Sequence, residues 1–254
     1  MTALILEKGG LDPTVIVGSN VKQFDGNARL GESKYLVIEA DEYRKAFLNY
    51  YPDVIVLTTI EYEHPDSYED LTDLLNTFRR YVSRLPKDGI LIANADDDNV
   101  IKIASKAKCR VVTYGIKTQT VDVLSKNVDL KRGEPCFDIQ KNTLSIRDIK
   151  LNIPGVHNVS NALAAITIGL EFNVPPKIIK KALTSFTGTW RRFELKGRIS
   201  GVTVIDDYAH HPTEIKVTLK AAREKFPKKG IICVFQPHHQ LRFKKLFSDF
   251  VKSF

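Results

Sequence analysis

DVIVLTTIEYEHPDSYEDLTDLLNTFRRYVSRLPKDGILIAN, residues 53–94, carries the pattern on which the fold turns. Its first segment, DVIVLTTI at 53–60, is built on an apolar run without alternation, as in a strand buried on both faces of a parallel sheet. Leu71, Leu74, Leu75, Phe78 and Val82 then recur at helical spacing, and GILIAN at 89–94 is a second continuous apolar run. Strand, helix and strand in that order make one βαβ unit, whose strands can only be parallel. Upstream, TVIVG at 14–18 and YLVIEA at 35–40 have the same character, after a short helix over 2–8 stopped by Gly9-Gly10. Downstream, RVVTYG at 110–115 continues the alternation. Residues 120–153 switch to short alternating segments such as VDVLS and CFDIQ, an antiparallel excursion. Helices over 158–171 and 176–186 follow.

A second alternation begins near Arg191, with a strand at 201–206, a helix over 213–226 and a strand, IICVFQ, at 231–236. The last segment, 241–254, sets Phe243, Leu246, Phe247, Phe250, Val251 and Phe254 on one helical face, which needs a sheet to cover. The expectation is an α/β protein in two units. Residues 1–189 form a mostly parallel sheet with helices on both faces, and 190–254 form a smaller Rossmann-like unit. Two strands make a poor free-standing α/β unit, so the second reads as truncated.

Hydrophobic residues are 43% and charged residues 27%, a folded globular composition that excludes disorder and coiled coil. No apolar run is long enough to span a membrane, and the start, MTALILEKGG, lacks the basic flank of a signal peptide. Three distant cysteines without metal spacing, Cys109, Cys136 and Cys233, point to a reducing, cytoplasmic setting. The net charge of +8 invites a nucleic-acid partner, but the basic residues are scattered and no nucleic-acid motif is present. Neither nucleic acid nor a membrane is expected as a partner.

All six histidines fall in four short clusters, at His64, His157, His210-His211 and His238-His239, each after an expected strand or at a helix start. Ligands of open α/β sheets bind at the carboxyl ends of strands. VIEADEY ends one run in Glu39, Asp41 and Glu42, and TTIEYEHPD ends the next in Glu61, Glu63, His64 and Asp66. If the two strands are neighbours, Glu39 and His64 come within several Å, and a carboxylate with an imidazole suits Mg²⁺ or Mn²⁺. The same acidic residues also serve as caps of the helices that follow. Arg191 and Arg192 at the junction suit phosphate, and Asp206 and Asp207 at a strand end suit a ribose hydroxyl. Asn158 and Asn161 lie one helical turn apart, and their amides can read an adenine edge. GxxxxGK[ST], GxGxxG and GxSxG are all absent.

In order along the chain stand GLDPTVIVGS (10–19), NARLG (27–31), EADEY (39–43), IEYEHPDSY (60–68), GVHNVSNALAA (155–165), FTGTWRRFE (186–194), DDYAHHPTEI (206–215) and FQPH (235–238). With these the sequence resembles the Mur ligases of peptidoglycan synthesis, most closely the alanine-adding branch. The resemblance implies a central P-loop-type ATP domain, here 1–189, followed by a Rossmann-like domain, here 190–254. It also implies a sugar-nucleotide domain and a GTxGKT loop upstream of Met1, so the chain is expected to be an internal piece, inactive alone.

Carried over residue by residue, the resemblance makes Glu39 and His64 magnesium ligands and Asn158 and Asn161 the adenine side. Arg192 falls near the γ-phosphate and Asp207 on the ribose. Tyr208, His210 and His211 line the junction of ATP and the muramyl substrate, with His210 and Arg192 among the catalytic set. Asn27 and Arg29 face the muramyl substrate. Arg242 occupies the arginine position after FQPH, with Leu241 and Phe243 where the family shows Ser and Thr. The implied chemistry is ATP-driven joining of L-alanine to UDP-N-acetylmuramate through an acyl phosphate, with Mg²⁺ or Mn²⁺ as cofactor. A murein tripeptide-recycling ligase, which shares EADEY and the DD-AHHPT motif, and a non-catalytic module of the same fold are the alternatives.

Overall fold

The βαβ unit forms as the pattern dictates. The computed structural model describes residues 1–254, the side chain of Arg132 excepted. Its elements are α1 (Thr2–Lys8), β1 (Thr14–Val21), β2 (Gly26–Arg29), β3 (Leu36–Ile38), β4 (Val54–Leu57), α2 (Leu71–Val82) and β5 (Ile90–Asn94). There follow α3 (Asp98–Ala104), β6 (Arg110–Gly115), β7 (Val123–Asp129), β8 (Cys136–Lys141), β9 (Leu144–Lys150), α4 (Val156–Glu171) and α5 (Pro176–Ser185). The rest is β10 (Glu194–Ile199), β11 (Val202–Asp206), α6 (Pro212–Lys225), α7 (Gln240–Lys245) and α8 (Phe247–Val251).

The main sheet has the order β4-β5-β6-β7-β8-β9. β4 and β5 are parallel in the register Val54↔Ile90, and β6 and β7 continue in parallel. β8 and β9 then turn antiparallel, the excursion expected from 120–153. Asp70 caps α2 by accepting the Asp73 N–H at 2.8 Å. The sheet is buried on both faces. Ile92 joins one core with Ile5, Leu163, Ile166 and Ile179 of α1, α4 and α5, while its neighbour Leu91 joins another with Leu74, Tyr81 and Ile103 of α2 and α3. Period-two alternation sends adjacent residues to opposite faces, so both runs must be apolar throughout. No helix among the described residues is long and apolar enough to cross a membrane.

Gly169 marks where α1, α4 and α5 meet: a Cβ there would stand 2.7 Å from Ile5 Cγ2 and 3.0 Å from Ile179 Cδ1. Gly169→Ala gains up to about 1 kcal/mol of helix propensity. Overpacking of about 1–3 kcal/mol opposes it. The expected net result is a lowered urea midpoint with an unchanged denaturant slope; a raised midpoint would show that α1 can slide away without cost.

Three expectations are corrected. The run at 35–40 does not neighbour the run at 53–60. β3 instead pairs in parallel with β1 in a separate sheet, β2-β1-β3. With only three residues and Leu36 exposed, β3 lacks the two buried faces of a central strand. The run at 231–236 pairs with no strand among the described residues. β10 and β11 form a two-stranded antiparallel sheet without it, and Ile232 and Val234 are 92% and 93% exposed. An apolar run becomes a strand only when a neighbour takes its backbone groups. Finally, 241–254 is not one helix but α7 and α8, broken at Leu246. Phe243 and Phe250 pack against each other and Phe250 against Phe235, leaving Phe247, Val251 and Phe254 exposed.

Candidate active site

The two acidic segments meet beyond the ends of β3 and β4, but not through the residue expected. Glu39 Oε2 accepts the Gly18 N–H at 2.7 Å, which ties the end of β3 to β1. The chain then turns, with Arg44 and Lys45 in left-handed conformation and Asp41 Oδ1 accepting the Tyr43 N–H at 2.8 Å. This turn delivers Asp41 and Glu42, not Glu39, to His64. The Glu42 carboxylate lies 3.3 Å from His64 Nε2. One ligand atom from each of Asp41, Glu42 and His64 can be chosen with all three within 4.8 Å of one another. The expected adjacency of the two strands is thus corrected, because β3 and β4 belong to different sheets.

The electrostatics follow from this contact. The hydrogen bond to Glu42 holds the His64 imidazole above its ordinary value, against the effect of burial and with further help from the Glu63 charge. Burial pushes the Glu42 carboxyl up, but the His64 hydrogen bond and nearby positive charge outweigh it, leaving the carboxyl below its ordinary range. Two carboxylates and an imidazole with open sides suit a divalent cation that keeps part of its water shell. Asp41 and Glu42 stood in the acidic motif, but nothing in their order showed which carboxylate would face His64.

The second half of the site lies where the start of α4 approaches the loop after β11. Gly155 caps α4 with φ at +94°, a conformation natural to glycine, and a Cβ there would collide with the His157 ring at 2.5 Å. Asn158 Nδ2 donates to the Pro154 carbonyl at 2.7 Å, and Asn161 Nδ2 donates to Asn158 Oδ1 at 3.4 Å. Helical spacing therefore does bring the two amides together. His157 is held below its ordinary value by burial, countered in part by the Asp207 charge across the junction.

Asp207 organises its own loop. Its Oδ2 accepts the Phe193 N–H at 2.7 Å, and its Oδ1 accepts the Ala209 N–H at 2.8 Å and the Thr218 hydroxyl at 3.3 Å. The Tyr208 ring carries the guanidinium groups of Arg191 and Arg192 at 5.0 and 5.8 Å. Arg192 also pairs with Glu214 at 3.4 Å and stays exposed. His210 Nδ1 donates to the Tyr208 carbonyl at 2.7 Å. His211 caps α6, with Glu214 returning to the His211 N–H, and its Nδ1 lies 3.3 Å from Glu61. Glu214 was missed, though His-Pro-Thr-Glu has the spacing of a capping box that could have revealed it.

Two expected substrate contacts are turned inward. Arg29 is committed to Asp12 and to the Pro13 carbonyl at 2.8 Å, with Glu7 at 3.7 Å, so it joins β2 to the start of β1. Its neighbour Asn27 is exposed on β2. The Arg242 side chain is only 4% exposed and pairs through Nε with Glu63. A cavity of about 250 Å³, lined by Glu42, Glu61, Glu63, His211 and Glu214 among others, lies between the acidic cluster and the start of α6.

The Mur ligase middle domain family matches residues 16–169, and the family described as Mur ligase, glutamate ligase domain matches 191–254. The chain is 46% identical over 244 residues to the UDP-N-acetylmuramate–L-alanine ligase of Clostridium novyi, covering 96% of this chain and 53% of that protein. It is 47% identical over 245 residues to the ligase of the same name from Clostridium acetobutylicum, with the same coverage. The chain thus spans about half the length of the curated relatives it matches. Among solved structures it is similar to a UDP-N-acetylmuramate-alanine ligase from Thermotoga maritima, with a TM-score of 0.81, 28% identity and coverage of 99% of this chain and 55% of that one. A murein peptide ligase from Psychrobacter arcticus is similar at a TM-score of 0.70 and 26% identity, covering 90% of this chain and 52% of its own. With one family model running from β1 into α4 and the other from Arg191 to the last residue, the chain belongs to the Mur ligase family.

Proposed function

We propose that this chain provides the ATP-binding centre, residues 1–189, and the start of the closing domain, 190–254, of an enzyme that joins L-alanine to UDP-N-acetylmuramate in the cytoplasm. The observation that carries the reading is the cavity where Glu42 of the acid–imidazole cluster meets His211 and Glu214 at the start of α6, with Glu214 in turn paired to Arg192. For the cation, the geometry favours Asp41, Glu42 and His64 over the Glu39 and His64 of the family resemblance. Mg²⁺ bound there would screen negative charge on phosphate oxygens.

The chain's own residues then take distinct parts. Arg192, exposed above Tyr208 and steadied by Glu214, is free to meet a transferring phosphoryl group, where such a contact can be worth about 10³-fold. Asn158 spends both amide groups on Pro154 and Asn161, so it positions its neighbour. Exposed Asn161 keeps a free carbonyl oxygen for the adenine amino group. Asp207 holds the loop that presents Tyr208 and His210 to the ribose and the muramyl junction. His211 and Asn27 are the remaining candidates on the substrate side, whereas Arg242 is buried against Glu63. Arg29 holds β2 in place.

Two measurements test this. In hydrogen exchange, ATP should protect the start of α4 more than GTP does, because the guanine carbonyl opposes the Asn161 oxygen and leaves polar groups unpaired, at about 1–3 kcal/mol. Equal protection would reject base reading. For the activity, these residues replace the matching segment of the Clostridium novyi ligase, and phosphate release from ATP is followed with UDP-N-acetylmuramate present. Release that depends on L-alanine is expected; dependence on a murein tripeptide instead would support the recycling alternative, and no amino-acid-dependent release would reject both.

A further inference from the structure

Residues 61–64, EYEH, form a strap between β4 and the turn at Pro65, and its first three residues each touch the C-terminal part of the chain. Glu61 accepts the Thr213 hydroxyl at 2.6 Å and faces His211. The Tyr62 hydroxyl accepts from Lys245 Nζ at 2.9 Å, with the same ammonium 5.5 Å from its ring centroid. Glu63 pairs with Arg242 of α7. The fourth residue, His64, has φ at +51°, a left-handed conformation uncommon for residues other than glycine. What holds it is visible: the His64 N–H donates at 2.9 Å to Glu63 Oε1, the same oxygen that receives Arg242 Nε.

We propose that Glu63 and Arg242 are positioning residues for His64, so that docking of α7 on the strap sets the acid–imidazole cluster. The proposal rests on the cation reading above for its consequence, but not for its geometry. Arg242 fixes one carboxylate oxygen, that oxygen fixes the His64 backbone, and the backbone aims the ring at Glu42. Arg242 is buried, so this is not a solvated surface pair that thermal motion would release. Its Nη1 is buried as well and has no partner among the described residues, so the contact with Glu63 is what the guanidinium is committed to. The consequence is a cation site whose strength depends on whether the closing part of the chain is seated.

The sign of one measurement separates positioning from plain electrostatics. Mn²⁺ is titrated into the 254-residue chain by electron paramagnetic resonance, and exchange of the His64 amide is followed by NMR. In Arg242→Met a positive charge is removed near the cluster and Glu63 is freed, so Coulomb forces alone would tighten Mn²⁺ binding. Positioning gives the opposite: about tenfold weaker binding, in the range found when a group that orients a ligand is lost. It also gives faster exchange at His64 and substantial recovery of both in Arg242→Lys. Unchanged His64 exchange overturns the proposal. So does unchanged or tighter Mn²⁺ binding, provided that His64→Ala shows the ion to bind there. If His64→Ala leaves Mn²⁺ binding intact, the cation reading fails by itself, and exchange at His64 alone decides the positioning. Glu63→Ala removes the shared oxygen and carries the same exchange prediction, which serves if the methionine variant does not fold.

Discussion

Glu42→Ala is expected to weaken Mn²⁺ binding about a hundredfold, the upper end of what losing even a supporting group costs a metal site. The readout is paramagnetic broadening of the His64 ring protons, which should persist in the wild-type chain at Mn²⁺ concentrations that leave the variant unaffected. The reason is geometric: Glu42 already lies 3.3 Å from His64 Nε2, and only Asp41 remains to complete the cluster once it is gone. Glu39→Ala should cost much less, because that carboxylate holds the Gly18 N–H and its loss loosens the junction of β1 and β3. A larger loss in Glu39→Ala than in Glu42→Ala would reverse the assignment and return the site to the pair that the family resemblance named.

Glu171→Ala should lower the stability of the fold by about 1–2 kcal/mol at neutral pH, between the values for an exposed and a buried ion pair, because Arg110 is more than half exposed. The Glu171 side chain, at the end of α4, is 7% exposed and accepts from Lys141 Nζ at 2.6 Å and from Arg110. It therefore ties the helix to β6 and β8 at once. Burial pushes its carboxyl up, but the hydrogen bonds from Arg110 and Lys141 outweigh burial and hold it below the ordinary carboxylate value of 4.5. A carboxyl depressed on folding contributes stability above its unfolded value and loses it as pH falls through the folded one. The gap between wild type and variant in urea midpoint should thus be full at pH 7 and shrink below about pH 4.5. A gap that is constant down to pH 3 would mean that the loss is one of packing.

Much of the fold was legible in the order of the residues. Apolar runs without alternation announced β1, β4, β5 and β6, and the change to alternation at 120–153 announced the antiparallel turn of the sheet. Helical spacing alone was enough to place Asn158 and Asn161 side by side at the start of α4. The motif order DDYAHHPTEI carried the junction loop, although the capping box that Glu214 completes was missed. These features depend on neighbours a few residues apart, where periodicity and capping chemistry act directly.

The partner of each strand and the direction of each carboxylate were decided elsewhere. An apolar run reports that it is buried, not which strand lies beside it, so β3 could be taken for a neighbour of β4 when its hydrogen bonds run to β1. That one difference, with the left-handed turn at Arg44 and Lys45, is accompanied by Glu42 rather than a strand-end residue contacting His64 directly. Arg29 and Arg242 were likewise visible as arginines near substrate motifs, yet Asp12 and Glu63 claim them across the fold. The run at 231–236 shows the same limit from the other side: its composition is that of a strand, but without a neighbour to take its N–H and C=O groups it forms none. Local sequence determined most of the elements and the kinds of groups they carry. Tertiary structure decided which of those groups meet, because a buried charge or backbone group goes to whichever partner the packed chain brings within a few Å.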